Sequence, residues 1–176
     1  MNKQNLILIG FMGAGKTSVG RKLAELCRRP LEDTDHLIEK KQQMTISQIF
    51  AEHGEAAFRQ METEVLEELK AKEAGVILSS GGGLPLRVQN RALLKEAGLV
   101  IYLRTSPDTV LKRLAHDTSR PLLQGEHVQE KVHQMMKERE DCYLDACHEV
   151  VETDGKTIGE IAEEIQDLLY RQEEGL

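Results

Sequence analysis

Residues Gly10 to Thr17 read Gly-Phe-Met-Gly-Ala-Gly-Lys-Thr, a full match to G-x-x-x-x-G-K-[ST]. Each part of this pattern has a separate chemical task. Gly10, Gly13 and Gly15 let the chain wrap tightly with its N–H groups pointing inward, which makes a cradle for phosphate. Lys16 brings a point charge for β- and γ-phosphates, and the Thr17 hydroxyl is a ligand for Mg²⁺. The helix that follows adds the positive end of its dipole. The residues expected to hold the nucleotide are therefore Gly13, Ala14, Gly15, Lys16, Thr17 and Ser18. The flanks agree. Asn5-Leu6-Ile7-Leu8-Ile9 is the apolar run of a buried parallel strand, and Val19, Leu23, Leu26 and Cys27 recur at helical spacing.

Phosphoryl transfer from such a cradle also needs carboxylates. Many enzymes of this kind end a second apolar strand in Asp, but here Val76–Ser80 runs into Ser-Ser-Gly and Leu99–Leu103 into Arg104. Asp33-Thr34-Asp35 is the best replacement. In an extended strand Asp33 and Asp35 share a face, so one carboxylate can order Mg²⁺-bound water and the other can orient or deprotonate a hydroxyl. The competing reading has Asp35 or Thr34 capping a helix that starts near His36.

Arg59 and Glu62 are neighbours on one helix face at i, i+3. They form either a solvated ion pair of small value or a fork for a substrate carboxylate, with Glu62 fixing the rotamer. Ser80-Gly81-Gly82-Gly83 follows a strand, and a glycine triplet there implies that something approaches the backbone closely. Arg120, beside Pro121, suits a phosphate-stabilising arginine on a closing lid, and Arg113 could stack on a base. Arg139 sits among Glu138, Glu140 and Asp141, where a surface ion pair is the ordinary reading. The six histidines show no metal-ligand spacing and read as surface or core residues.

These groups need a scaffold. Strands are expected at Leu6–Ile9, Pro30–Asp33, Val76–Ser79, Leu99–Leu103 and Glu149–Glu152, with helices between them. Thr45-Ile46-Ser47-Gln48 and Thr157-Ile158-Gly159-Glu160 are capping boxes, and Ser106-Pro107 is a cap followed by a first-turn proline. Phe58, Met61, Val65, Leu66 and Leu69 form one apolar helix face. The alternation implies an α/β fold: a three-layer α/β/α sandwich around a five-stranded parallel sheet, with ligands at the carboxyl ends of the strands. A chain of 176 residues fits one domain. Aromatics at 3% and a net charge of −7 argue against nucleic acid as a partner. Cys27, Cys142 and Cys147 lack a disulfide framework. No signal-peptide pattern or membrane-length apolar run is seen, so the expected location is the cytoplasm, with no membrane partner.

Taken together, the Gly10–Thr17 loop, Asp33-Thr34-Asp35, Phe58-Arg59 with Glu62, Gly81-Gly82-Gly83, Arg120-Pro121-Leu122, and Arg139 with Tyr143 resemble the shikimate kinase family over essentially the whole chain. The resemblance implies a P-loop NTPase fold of the nucleoside monophosphate kinase type, with a helical substrate-binding insert at about 33–62 and a mobile lid at about 113–125. It implies ATP-dependent phosphorylation of the 3-hydroxyl of shikimate, on the route to chorismate and aromatic amino acids, with Mg²⁺ and in a monomer. In those terms Lys16, Asp35 and Arg120 are the catalytic residues. Arg113, Arg120 and Lys156 contact ATP, and Thr17 and, through water, Asp33 hold the metal. Asp35, Phe58, Arg59, Gly81, Gly82 and Arg139 bind shikimate. Gln43-Met44 and Leu84-Pro85 depart from the family pattern near the substrate. The alternatives are a P-loop kinase for gluconate or a nucleoside monophosphate, a nucleotide-driven switch or ATPase, and a binding protein without catalysis. An Asn-Lys-x-Asp guanine-reading motif is absent from the sequence, and the intact Lys16, Thr17, Asp35 and Arg120 speak for catalysis.

Overall fold

The expected apolar runs form five strands in the computed structural model, which describes residues 4–71, 75–115 and 127–175. They are β1 (Leu6–Ile9), β2 (Leu31–Asp33), β3 (Ile77–Ser79), β4 (Leu99–Arg104) and β5 (Glu149–Glu152). All neighbours pair in parallel, in the order β2-β3-β1-β4-β5. The helices among the described residues are α1 (Lys16–Cys27), α2 (Thr34–Gln42), α3 (Ile46–Ala71), α4 (Val88–Ala97), α5 (Pro107–Leu114), α6 (Val128–Ala146) and α7 (Ile158–Glu174). A short 3-10 turn at Leu84–Leu86 precedes α4.

Helices cover both faces of the sheet, so the central strand reads as a continuous apolar run rather than an alternating one. Leu6, Ile7, Leu8 and Ile9 are all fully buried. Ile7 and Ile9 face a layer with Leu66, Leu94, Tyr102 and Tyr143, and Leu6 and Leu8 face Val19, Leu23, Ile161 and Ile165. β5, at the sheet edge, buries only Val151. Ile38, Ile49, Phe58 and Val65 form a smaller cluster that joins α2 to α3. β1 lies between β3 and β4, so the chain leaves it toward both sides of the sheet. That reversal opens a crevice at the strand carboxyl ends, where the glycine loop sits.

The local signals hold. Thr157 and Glu160 form a complete capping box at α7, and the Ser106 hydroxyl accepts from the Thr109 N–H ahead of Pro107. Thr45 and Gln48 cap each other reciprocally at 2.9 and 3.2 Å. α3 is interrupted at Gly54, whose φ of 78° breaks the path between the turn starting at Ile46 and the stretch carrying Phe58, Arg59 and Glu62. No helix among the described residues is long and apolar enough to cross a membrane.

Asn5 ties the starts of three strands together. Its amide oxygen accepts from the Val76 N–H at 2.9 Å, and its amide nitrogen donates to the Ala97 carbonyl at 3.0 Å. Its own carbonyl accepts from Leu99 at 2.8 Å. Asn5→Ala leaves two buried backbone groups without these partners, at a cost of about 2–4 kcal/mol. Urea denaturation should show a lower midpoint at unchanged slope, and a loss below about 1 kcal/mol would contradict the clasp.

Candidate active site

The loop from β1 to α1 adopts the wrapped path that its glycines permit, with Gly13 at φ 78° and Gly15 at φ 92°. The Lys16 ammonium donates to the carbonyls of Gly10 and Phe11 at 2.7 and 2.8 Å, which holds the charge over the loop. Arg113, from α5, donates to the Gly13 carbonyl at 3.0 Å. It therefore borders the same loop. The Asp154–Gly155 turn is pinned to the start of α5 by the Ser106 N–H, which reaches the Asp154 carboxylate at 3.2 and 3.3 Å. Lys156 in that turn points to α7 and pairs with Glu164 at 2.6 Å.

A cleft of about 240 Å³ opens in front of this loop, lined by Met12, Gly13, Lys16, Thr17, Ser18, Asp33, Asp35, Gly81 and Gly82 among others. The structure thus brings Asp33 and Asp35 to the phosphate loop, but not by strand alternation. β2 ends at Asp33, which is extended at φ −126°, and α2 begins at Thr34. Asp33 itself is the cap: its Oδ1 accepts from the N–H groups of Asp35 and His36 at 3.0 and 3.2 Å. The expectation that Asp35 or Thr34 caps a helix near His36 is corrected accordingly. Thr34 has another task. Its buried hydroxyl accepts the Gly81 N–H at 2.8 Å and fastens the aspartates to the glycine turn. His36 is exposed.

The glycine turn is closely packed where its side chains would lie. A Cβ on Gly81 would lie 3.0 Å from Asp35 Oδ1 and 3.2 Å from Glu62 Oε1. One on Gly82 would lie 3.4 Å from the Gly10 carbonyl and 3.5 Å from the Met12 nitrogen. One on Gly83 would collide with the Arg59 guanidinium, which lies against the turn. Arg59 donates to Glu62 at 2.8 Å and to Glu55 at 3.3 Å. Burial opposes its charge, but Glu62 and Glu55 outweigh that and hold its pKa above the ordinary arginine value. The Glu62 side chain is 1% exposed, and burial pushes its carboxyl up against the pull of Arg59, with Asp35 adding to the rise. This is not the solvated surface pair that spacing alone allows. Arg59 also lies 5.5 Å from the Phe58 ring centroid, and Phe50 packs on Phe58 at 4.7 Å.

Arg139 is not held by its acidic neighbours in sequence. Its guanidinium lies over the ring of Phe11, 5.6 Å from the centroid, and so approaches the phosphate loop from α6. One turn on, the Tyr143 hydroxyl donates to the Gly82 carbonyl at 2.7 Å. Phe11 and Phe50 are not marked out by the sequence, and Thr34 and Tyr143 enter there only as members of a pattern, without the tasks they have in the structure. The position of Thr34 between two aspartates was the one local signal available. Arg120 and most of the expected lid, about 113–125, lie outside the described residues.

The backbone of Gly83, at φ −93° and ψ −6°, suits any residue, so Gly83→Ala tests the packing alone. Its methyl must push the Arg59 guanidinium off the turn, which a long side chain allows without unfolding. The variant should keep its thermal midpoint within a few degrees while its acceptor KM rises about tenfold. An unchanged acceptor KM would show that Arg59 does not work from this position.

A lysine-bearing glycine loop at the end of the central parallel strand, facing two carboxylates across one cleft, defines a P-loop phosphotransferase. The family model described as Shikimate kinase matches residues 12–170. The shikimate kinase of Thioalkalivibrio sulfidiphilus is 45% identical over 161 residues, covering 92% of this chain and 84% of that relative. Among solved structures, shikimate kinase from Acinetobacter baumannii in complex with shikimate superposes with a TM-score of 0.88 at 41% identity, covering 97% of this chain and 94% of that one. A gluconokinase from Sinorhizobium meliloti, 19% identical with a TM-score of 0.59 over 99% of this chain and 95% of its own, shares the fold alone. The chain belongs to the shikimate kinase family.

Proposed function

We propose that this enzyme transfers the γ-phosphoryl group of ATP to the 3-hydroxyl of shikimate. The observation that carries the reading is the single cleft in which Lys16 and Thr17 face Asp35, Gly81 and Gly82. A nucleotide on the loop and a small alcohol beside Asp35 would share this cleft. Arg59 and Arg139 approach the acceptor side from α3 and α6, an arrangement suited to a carboxylate. Shikimate is a small anion with several hydroxyls, and it matches two guanidiniums, an aspartate and exposed backbone.

The roles follow from placement. Lys16 leaves the loop carbonyls to neutralise the transferring phosphoryl group, and Arg113 borders the base. Asp35 orients the attacking hydroxyl and is placed to take its proton. Thr17 and Asp33 offer hard oxygen donors, the set that Mg²⁺ prefers. Asp33 Oδ1 is engaged in the α2 cap, so its Oδ2 would take a metal-bound water. Bound with the nucleotide, Mg²⁺ would neutralise charge between the β- and γ-phosphates. Residues 33–62 form the acceptor-binding insert in this reading, and the enzyme works as a cytoplasmic monomer.

A coupled assay of ADP release with shikimate, gluconate and AMP tests the substrate. Turnover should be fast with shikimate alone and slow without acceptor, and fast turnover only with gluconate or AMP would overturn the assignment. Lys16→Ala should lower kcat about 100-fold or more, and Arg59→Ala should chiefly raise the shikimate KM, about tenfold or more. A shikimate KM untouched by Arg59→Ala would remove the carboxylate fork from the pocket.

A further inference from the structure

The two acceptor elements contributed by different parts of the chain, the Gly82 turn and Arg139, meet at one buried side chain. Tyr143 is 1% exposed, and its hydroxyl donates to the Gly82 carbonyl at 2.7 Å. The Arg139 guanidinium, four residues back on α6, is a charged neighbour of the same hydroxyl. The Phe11 ring flanks that guanidinium at 5.6 Å. Burial pushes the Tyr143 hydroxyl up to about 12, against the pull of Arg139, so it stays protonated and able to donate throughout the neutral range. Its ring is held separately, 5.0 Å from that of Tyr102 and within the core layer between the sheet and α6.

We propose that Tyr143 is a positioning residue for the acceptor: its hydroxyl sets the orientation of the Gly82 peptide, and so sets the affinity for the carboxylated alcohol. A peptide whose carbonyl is fixed has its neighbouring N–H groups fixed as well. A glycine peptide has no side chain to do this, and the Tyr143 bond supplies the missing restraint. The Gly82 turn also abuts the Gly10 carbonyl and Met12 nitrogen, so the restraint acts at the seam between the acceptor and phosphate sites. Ring and hydroxyl have separable tasks: the ring fills the core, and the hydroxyl serves the site.

This inference rests on the reading of shikimate as the acceptor, and Tyr143→Phe tests it. The variant keeps the ring and its packing on Tyr102 and loses only the oxygen. Steady-state kinetics should show the shikimate KM about tenfold higher, with kcat within about threefold, the ATP KM within about twofold and the thermal midpoint almost unmoved. Calorimetric binding of shikimate reads the same loss without turnover. A shikimate KM that stays within twofold of the parent overturns the proposal. So does a parallel rise of both KM values with a fallen thermal midpoint, which is the behaviour of an ordinary core tyrosine. If Tyr143→Phe does not fold, the Gly82 turn is held by the core rather than for the acceptor, and the proposal fails. Parent enzyme that ignores shikimate would overturn the functional reading itself, a result distinct from active parent with an unaffected variant.

Discussion

The site depends on how tightly the backbone at Gly81–Gly83 is enclosed. On one side it meets the phosphate loop, through the Gly10 carbonyl and Met12 nitrogen, and on the other it meets Asp35, Glu62 and Arg59. Side chains at these positions would separate the two loops or displace Asp35, Glu62 and Arg59 from beside the turn. Their absence lets α1, α2, α3 and α6 deliver chemistry to one small volume. Thr34 and Tyr143 then hydrogen-bond to the turn from α2 and α6 and remove its freedom. Preorganisation of this kind is the main contribution a protein can make to phosphoryl transfer, where positioning and charge neutralisation dominate.

The electrostatics follow the same logic. A chain of net charge −7 has no general attraction for anions, so the cations for two anionic ligands have to be local and oriented. Lys16 is held over the loop by two carbonyls, and Arg59 by Glu62 with support from Glu55. The Arg59–Glu62 pair is half-sunk in protein, where such pairs contribute little net stability. Its value lies in direction: the buried carboxylate, in contact distance of the glycine turn, leaves the guanidinium one place to lie. Arg139 is aimed differently, by an aromatic face rather than by an acid.

Much of the scaffold was legible in the sequence because its causes are local. The expected strands formed within a residue or two of their limits, and the capping motifs at Thr45, Ser106 and Thr157 formed. The phosphate loop was legible for the same reason, since one octapeptide carries the whole cradle. The Asp33–Asp35 pair was legible as a site but not as a geometry. Strand alternation was the wrong rule, because the carboxylate of Asp33 captured two N–H groups and started α2 one residue later. Arg139 shows the opposite case. Its sequence neighbours are acids, yet its structural neighbours are Phe11 and Tyr143, and no spacing rule connects position 139 to position 11.

The sequence by itself determined the alternating α/β order, the phosphate cradle and the inventory of groups able to bind a carboxylated alcohol, because helix periodicity, capping and glycine turns act over a few residues. Only the tertiary structure decided which of those groups converge. The bonds that join Thr34 to Gly81 and Tyr143 to Gly82 span 47 and 61 positions, and the sheet order that places β1 between β3 and β4 makes them neighbours. Such contacts arise from packing a twisted parallel sheet between two helical layers, and chain-local chemistry carries no record of that packing.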